Sequence, residues 1–258
     1  MYNVSPSPHV RCEESIAKIM WTVVATLAPA ALFGIYLFGM PALFNLVWCI
    51  GFAVLTEYLV QRWQGKDITV KDGSAVITGL LLAMNIPAGL PWYMCMAGAF
   101  IAIAVAKHTM GGLGFNVFNP ALIGRAFLLA SWPVAMTTWP VALGSKLNAV
   151  SSATSKAAVD ATTAATPLAI LKYQGYDKLT QAFVDKTDLY QTMFLGLHGG
   201  SMGETSALLL LIGGLFLIYR GYINWQMPVG MIGTVALLTW IFGGKGWFAG
   251  DPLLHILS

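Results

Sequence analysis

Long apolar runs alternate with short polar breaks along this chain, and the runs sort by length. Met20 to Met40 is free of charge for 21 residues, and Pro41 to Thr56 stays apolar until Glu57. A helix crosses a bilayer with about 20 apolar residues, so two full spans are expected, joined at a Gly-Met-Pro turn. After the polar stretch Gln61 to Asp72, the run Ser74 to Ala83 lasts only about ten residues before Asn85 and Pro87 break it. That length reaches halfway through a membrane. Gly89 to Ala106 reads as a full span ended by Lys107 and His108. A second short helix is expected from Asn119 to near Trp132-Pro133, because Asn suits a helix cap and Pro the first helical position. From Val134 to Thr205 the pattern gives way to an Ala/Thr/Ser/Lys-rich stretch with five Lys and five acids, a loop outside the bilayer. Thr205 to Tyr219 is then a short span and Tyr222 to Gly244 a charge-free run of 23 residues. Last comes GDPLLHILS, which places Asp251-Pro252 just before an apolar start.

The order before the loop is span, span, short helix, span, short helix. After the loop it begins again as span, span and GDPLLHILS, which matches KDGSAVITG at residues 71–79 in setting Asp and a small residue before a helix. The expected fold is an all-α polytopic membrane protein, an inverted repeat of five-segment units with broken half-helices. Such helices commonly line a central path. The second repeat stops at its third member, and two further helices would complete it. Four regions follow: a cytoplasmic N-terminal segment at 1–19, a first membrane repeat at 20–133, an external loop at 134–204, and the start of a second repeat at 205–258. With the N-terminus inside, Arg11, Lys18, Arg62, Lys66, Lys71, Lys107 and Arg220 all fall on the cytoplasmic side, as the positive-inside rule asks.

Composition sharpens this reading. Of the 258 residues 57% are apolar and 10% charged, against roughly a quarter charged in a soluble domain, which excludes a water-soluble or disordered protein. A net charge of +3, scattered along the chain, gives no nucleic-acid footprint. Cys12, Cys49 and Cys95 form no C-x-x-C pair and read as small buried side chains. The first 19 residues lack a small-residue cleavage site and so read as no cleaved signal peptide. His9, His108, His198 and His255 are isolated in sequence and read as helix-end or interfacial residues. Gly111-Gly-Leu-Gly114 lacks the third Gly and preceding strand of a dinucleotide fingerprint and suits close helix packing.

Ionisable groups at membrane depth are costly and face a cavity or a partner. Glu57 and Asp72 are expected at the cytoplasmic interface. Asp251 precedes the final apolar start. Arg125 falls in the middle of the second short helix, where an acid, a phosphate or a carbonyl would pair with it. The N-termini at Asp72-Gly-Ser74 and Asn119-Pro120 present unpaired N–H groups and the positive dipole end, suited to a cofactor or to the border of an ion path.

Within the loop, Asp160-Ala-Thr-Thr-Ala-Ala-Thr166-Pro-Leu168 reads by composition as a surface linker. Two details separate it from one: Ala161, Ala164 and Ala165 leave the Thr hydroxyls open, and Pro167 stops a helix through them. Asp160-x-x-Thr163-Ala164-Ala165-Thr166 resembles the D-x-x-[ST]-[GA]-A-T flavinylation motif of the RnfD/NqrB family. Ser5-Pro-Ser-Pro-His9, the 71–79 segment and Gly112-Leu-Gly-Phe-Asn-Val-Phe-Asn-Pro-Ala121 also resemble that family, and the likeness covers nearly the whole chain. It implies FMN joined through its phosphate to the Thr166 hydroxyl, with Asp160, Thr163 and Ala165 as motif positions; Arg125, from its place in the second short helix, is a candidate flavin contact. A separate flavin transferase would make the bond, Thr162 and Thr163 being the competing acceptors. The resemblance also allows a second, non-covalent flavin, and implies partners RnfA, RnfB, RnfC, RnfE and RnfG in a bacterial inner membrane. The activity implied is electron relay in a complex that links ferredoxin and NAD to sodium or proton movement, with no turnover by this protein alone. A passive channel or solute carrier of inverted-repeat fold is the competing reading. The equivalent component of the sodium-pumping quinone reductase is a third, set back by the short segment before the first span.

Overall fold

The computed structural model describes residues 14–109, 111–140, 142, 171, 186–196, 198–204, 206–243 and 251–257. Among these every regular element is a helix. Helix α1 (Ile16–Phe38) starts where the Ser15 hydroxyl accepts from Lys18 N, so it begins four residues before the charge-free run. Just ahead of it, Glu14 accepts from Lys18 Nζ at 2.9 Å and from the Tyr222 hydroxyl at 2.9 Å. These bonds, the one from Lys18 foremost, hold its carboxyl below the usual carboxylate range. Gly39, at φ 72°, ends α1 and opens α2 (Met40–Trp63), so the turn between the spans is a single residue. That φ is left-handed, where a Cβ is strained. Both helices are long and apolar enough to cross a bilayer.

Helix α2 runs six residues past Glu57 and so carries that carboxylate inside a helix rather than at its mouth. A 3₁₀ turn (Val70–Asp72) leads into the short helix α3 (Ser74–Asn85), where Asp72 Oδ1 accepts from Ser74 N at 2.8 Å. Helix α4 (Trp92–Phe100) continues without a break as a π-helix (Ile101–His108). The other short helix, α5 (Pro120–Ser131), is capped by Asn119, whose side chain accepts from Ala121 N at 3.0 Å. At 1.5 Å per residue α3 and α5 are each about 18 Å long, half-spans as their sequences predict. A one-and-a-half-turn helix α6 (Pro133–Thr137) follows.

Small residues bring α2 to α5 together. A Cβ on Gly79 of α3 would lie 2.6 Å from the Ile50 Cα, and one on Gly124 of α5 would lie 2.7 Å from the Gly98 carbonyl of α4. Backbone meets backbone at both crossings, as small-residue packing in membranes allows. The core between them holds Cys49, Leu82, Cys95, Ile103 and Leu128, each essentially unexposed. Cys49 and Cys95 are free thiols, as their spacing suggests.

Beyond the loop come α7 (Lys186–Leu195), a 3₁₀ turn (Met202–Glu204), α8 (Ala207–Tyr219), α9 (Gln226–Ile241) and α10 (Pro252–Leu257). Met202 is fully buried against Gly34 of α1, and Gly203 lies against the Met84 carbonyl of α3, so this turn docks into the first bundle. Tyr190 of α7 donates a hydrogen bond to Asp251 ahead of α10. The run Tyr222 to Gly244 yields a helix of 16 residues, because the chain turns through Gly221 and on to Asn224 before α9 begins.

Candidate functional site

At one end of the first bundle, α2, α3 and the π-helix bring five polar side chains into a space that hydropathy marks as apolar. Lys107 Nζ donates to both Glu57 carboxylate oxygens, at 2.7 and 2.8 Å, and to Ser74 Oγ at 2.6 Å. The Lys107 and Glu57 side chains are 2% and 1% exposed, so each charge finds its main partner in the other. Ser74 Oγ in turn donates a hydrogen bond to Asp72 Oδ1 at 2.6 Å. Gln61, one turn after Glu57, donates to Glu57 Oε1 at 3.1 Å and to Thr69 Oγ1 at 2.8 Å, and accepts from Thr69 N at 2.9 Å. That clasp ties the loop after α2 back onto the ion pair. A buried pair tolerates desolvation only where each remaining lone pair and proton is met, and the three Lys107 donors are.

Lys107 and His108 close the π-helix, a geometry frequent at functional sites, and both side chains are buried. His108 is 6% exposed, and its Nε2 lies 3.9 Å from Glu57 Oε1. Among the described residues, neither of its ring nitrogens has a hydrogen-bond partner.

Two cavities meet at this cluster. One, of about 580 Å³, is lined by Glu57, Gln61, Asp72, Lys107 and His108 and reaches the surface past Lys66 and Asp67. The other, of about 380 Å³, runs along the N-termini of α3 and α5, past Ser74, Thr78, Asn116, Phe118 and Asn119. Lys107 and Leu113 line both. In the second cavity the Asn116 Oδ1 is buried and has no hydrogen-bond partner among the described residues.

Of the residues singled out from sequence, Arg125 is half-buried on α5 and donates to Asn85 Oδ1 at 3.3 Å. Asn85 closes α3 at the end opposite Ser74, so Arg125 is set apart from the ion pair. Asp160, Thr163, Ala165 and Thr166 lie outside the described residues. The Glu57 carboxylate is not exposed at a helix mouth: α2 continues beyond it, and Lys107 pairs with it inside the protein. His108 does end its helix, as expected, and is buried there. Lys107, counted from sequence only for topology, is the centre of the cluster. The signal available was parity: one acid in the second span and one base closing the fourth, each needing an opposite charge.

Long apolar helices, two half-span helices packed among them and a buried ion pair define a helical membrane protein. The NQR2, RnfD, RnfE family model matches residues 3–258, and the chain belongs to that family. It is 56% identical over 259 residues to the D component of a proton-translocating ferredoxin:NAD+ oxidoreductase complex from Clostridium ljungdahlii, spanning all of this chain and 75% of that protein. It is 42% identical over 257 residues to the D component of a Na+-translocating ferredoxin:NAD+ oxidoreductase complex from Acetobacterium woodii, across 99% of this chain and 72% of that one. The D component of an ion-translocating oxidoreductase complex from Rhodobacter capsulatus is 38% identical over 263 residues, across 97% and 73%.

Proposed function

We propose that the chain is the RnfD-type membrane component of an ion-translocating ferredoxin:NAD+ oxidoreductase, an Rnf complex. In this reading it bears FMN on Thr166 and relays electrons among RnfA, RnfB, RnfC, RnfE and RnfG. One observation carries the reading: identity of 56% and 42% with two such proteins along essentially the whole chain, which includes the flavinylation-like run from Asp160 to Thr166. The architecture proposed is the inverted repeat in an inner membrane, with the N-terminus cytoplasmic and the flavin-bearing loop external. A bound flavin supplies two-electron uptake and one-electron release, while the protein supplies position and electrostatics.

The chain's own residues then have simple tasks. The Thr166 hydroxyl oxygen holds the phosphate as an ester, Asp160 and Thr163 mark the run for the transferase, and Ala165 keeps the approach open. Arg125 holds one of its five donors on Asn85, which leaves others to meet phosphate or carbonyl oxygens. A second, non-covalent flavin fits the 380 Å³ cavity, a volume in the range of small-molecule sites of about 300–1,000 Å³. There Asn116 Oδ1, buried and unpartnered, would accept the imide N–H, beside Phe118 and the open N-termini of α3 and α5.

The test is covalent. Purified from cells with the flavin transferase, the chain is expected to fluoresce yellow-green on a denaturing gel and to gain the mass of FMN on the peptide holding Thr166. Thr166→Ala should abolish both signals and Thr162→Ala should keep them. A bare peptide would overturn the cofactor assignment and return the chain to the passive-channel reading.

A further inference from the structure

We propose that His108 is a proton-binding site of the larger cavity, and that a proton bound there competes with Lys107 for the Glu57 carboxylate. The inference does not depend on a flavin at Thr166 or in the second cavity.

Three observations converge. The His108 imidazole is buried, with the residue 6% exposed, and among the described residues both nitrogens are without a hydrogen-bond partner, so it has a bond to gain and none to lose. Its Nε2 lies 3.9 Å from Glu57 Oε1, about 1 Å beyond a charge-assisted hydrogen bond of about 2.7–2.9 Å. The cavity that both line opens past Gly65, Lys66 and Asp67, all exposed, so protons from bulk water reach the ring. The charged groups around that space are Glu57 on α2, Lys66 and Asp67 on the loop after it, Asp72 before α3, and Lys107 on the same π-helix.

The step balances simply. An N–H bond forms on the imidazole with a proton taken from water, and nothing is oxidised or reduced. The imidazolium then donates to Glu57 Oε1, which already accepts from Lys107 and from Gln61. Three donors crowd one oxygen, so Lys107 gives up Oε1 and is left on Oε2 and Ser74 Oγ. Because Lys107 lines both cavities, its shift alters the partition between them. Loss of the proton restores the present arrangement.

The experiment uses the full chain in detergent or within its complex, with ¹⁵N-histidine NMR and infrared difference spectra recorded across pH 5 to 8, where histidines titrate. His108 is assigned by the signal missing in His108→Gln. His108 is expected to titrate in this range, and a Glu57 carboxylate band, assigned by Glu57→Asp, is expected to shift with the same midpoint. In Lys107→Gln the His108 midpoint should rise by about one unit or more, since a like charge is gone and Glu57 is free to pair. The wild-type co-titration carries the test even where a variant fails to fold. A His108 that stays in one protonation state from pH 5 to 8, or titrates while the Glu57 band stands still, overturns the proposal.

Discussion

The cluster where α2, α3 and the π-helix meet and the pair α8 and α9 draw on the same apolar alphabet and end in opposite states. Helix α8 is the most apolar of the described helices, yet Leu217 is its one buried residue, and in α9 only Thr239 is buried. Helix α2 is less apolar and buries Asn45, Thr56, Glu57 and Gln61. Burial here does not follow hydropathy: α8 meets the Thr26 carbonyl closely at Gly213, yet buries Leu217 alone. Gly79 and Gly124 sit against neighbouring backbone, while Gly230 and Gly233 of α9 meet nothing within 4 Å.

The largest break in that contrast should come from parting the ion pair. Lys107→Met leaves Glu57 buried without a counter-charge, a loss of about 3–5 kcal/mol. Thermal unfolding of the detergent-solubilised chain would show it, and adding Glu57→Gln to the same chain should recover much of the loss, because no bare charge then remains. An unchanged transition in Lys107→Met would mean that the pair is not sealed.

The glycines give a second, smaller test. Gly79→Ala forces a methyl to within 2.6 Å of the Ile50 Cα and should cost about 1–3 kcal/mol by overpacking. Gly230→Ala adds its methyl in open space on α9 and should stabilise the helix by roughly 0.5–1 kcal/mol. Opposite signs in one unfolding assay sharpen the comparison; equal ones erase it.

The smallest effect concerns pH. His198, in the turn before α8, is buried, and burial holds its imidazole below the usual histidine range. The unfolded chain takes up a proton near the ordinary value of about 6.5 while the native chain stays neutral, so acidification favours the unfolded state. Stability should fall from about pH 6.5 downward until the native group itself protonates, by at most about 1.4 kcal/mol per pH unit for one group. Unfolding curves of wild type and His198→Gln, compared between pH 8 and 5, isolate this share. No difference in slope would exclude it.

Much of the scaffold was legible in the chain. Asn119-Pro120 and Asp72-Gly-Ser74 marked the starts of the half-helices, since capping and proline geometry are local. The hairpin at Gly39 was placed to within two residues. The family was legible from the Asp160 to Thr166 run and the Gly112 to Ala121 motif. The polar cluster was not, because Glu57 and Lys107 are 50 residues apart and their meeting depends on helix rotation, which hydropathy does not record. The π-helical turn is equally silent: Ile101 to Ala106 is an unbroken apolar run with no glycine or proline to announce it.

That turn has a consequence for how the fourth span tolerates change in length. Its extra width stores roughly one residue's worth of chain, so losing a single position between Ile101 and Ala106 would let the segment relax to ordinary α geometry with its end facing the same way, whereas an added position would swing that end by about 100°. Such an insertion would here uncouple acid from base. Counting residues in this span, rather than comparing their hydrophobicity, is the way to judge whether a variant keeps its charge balance.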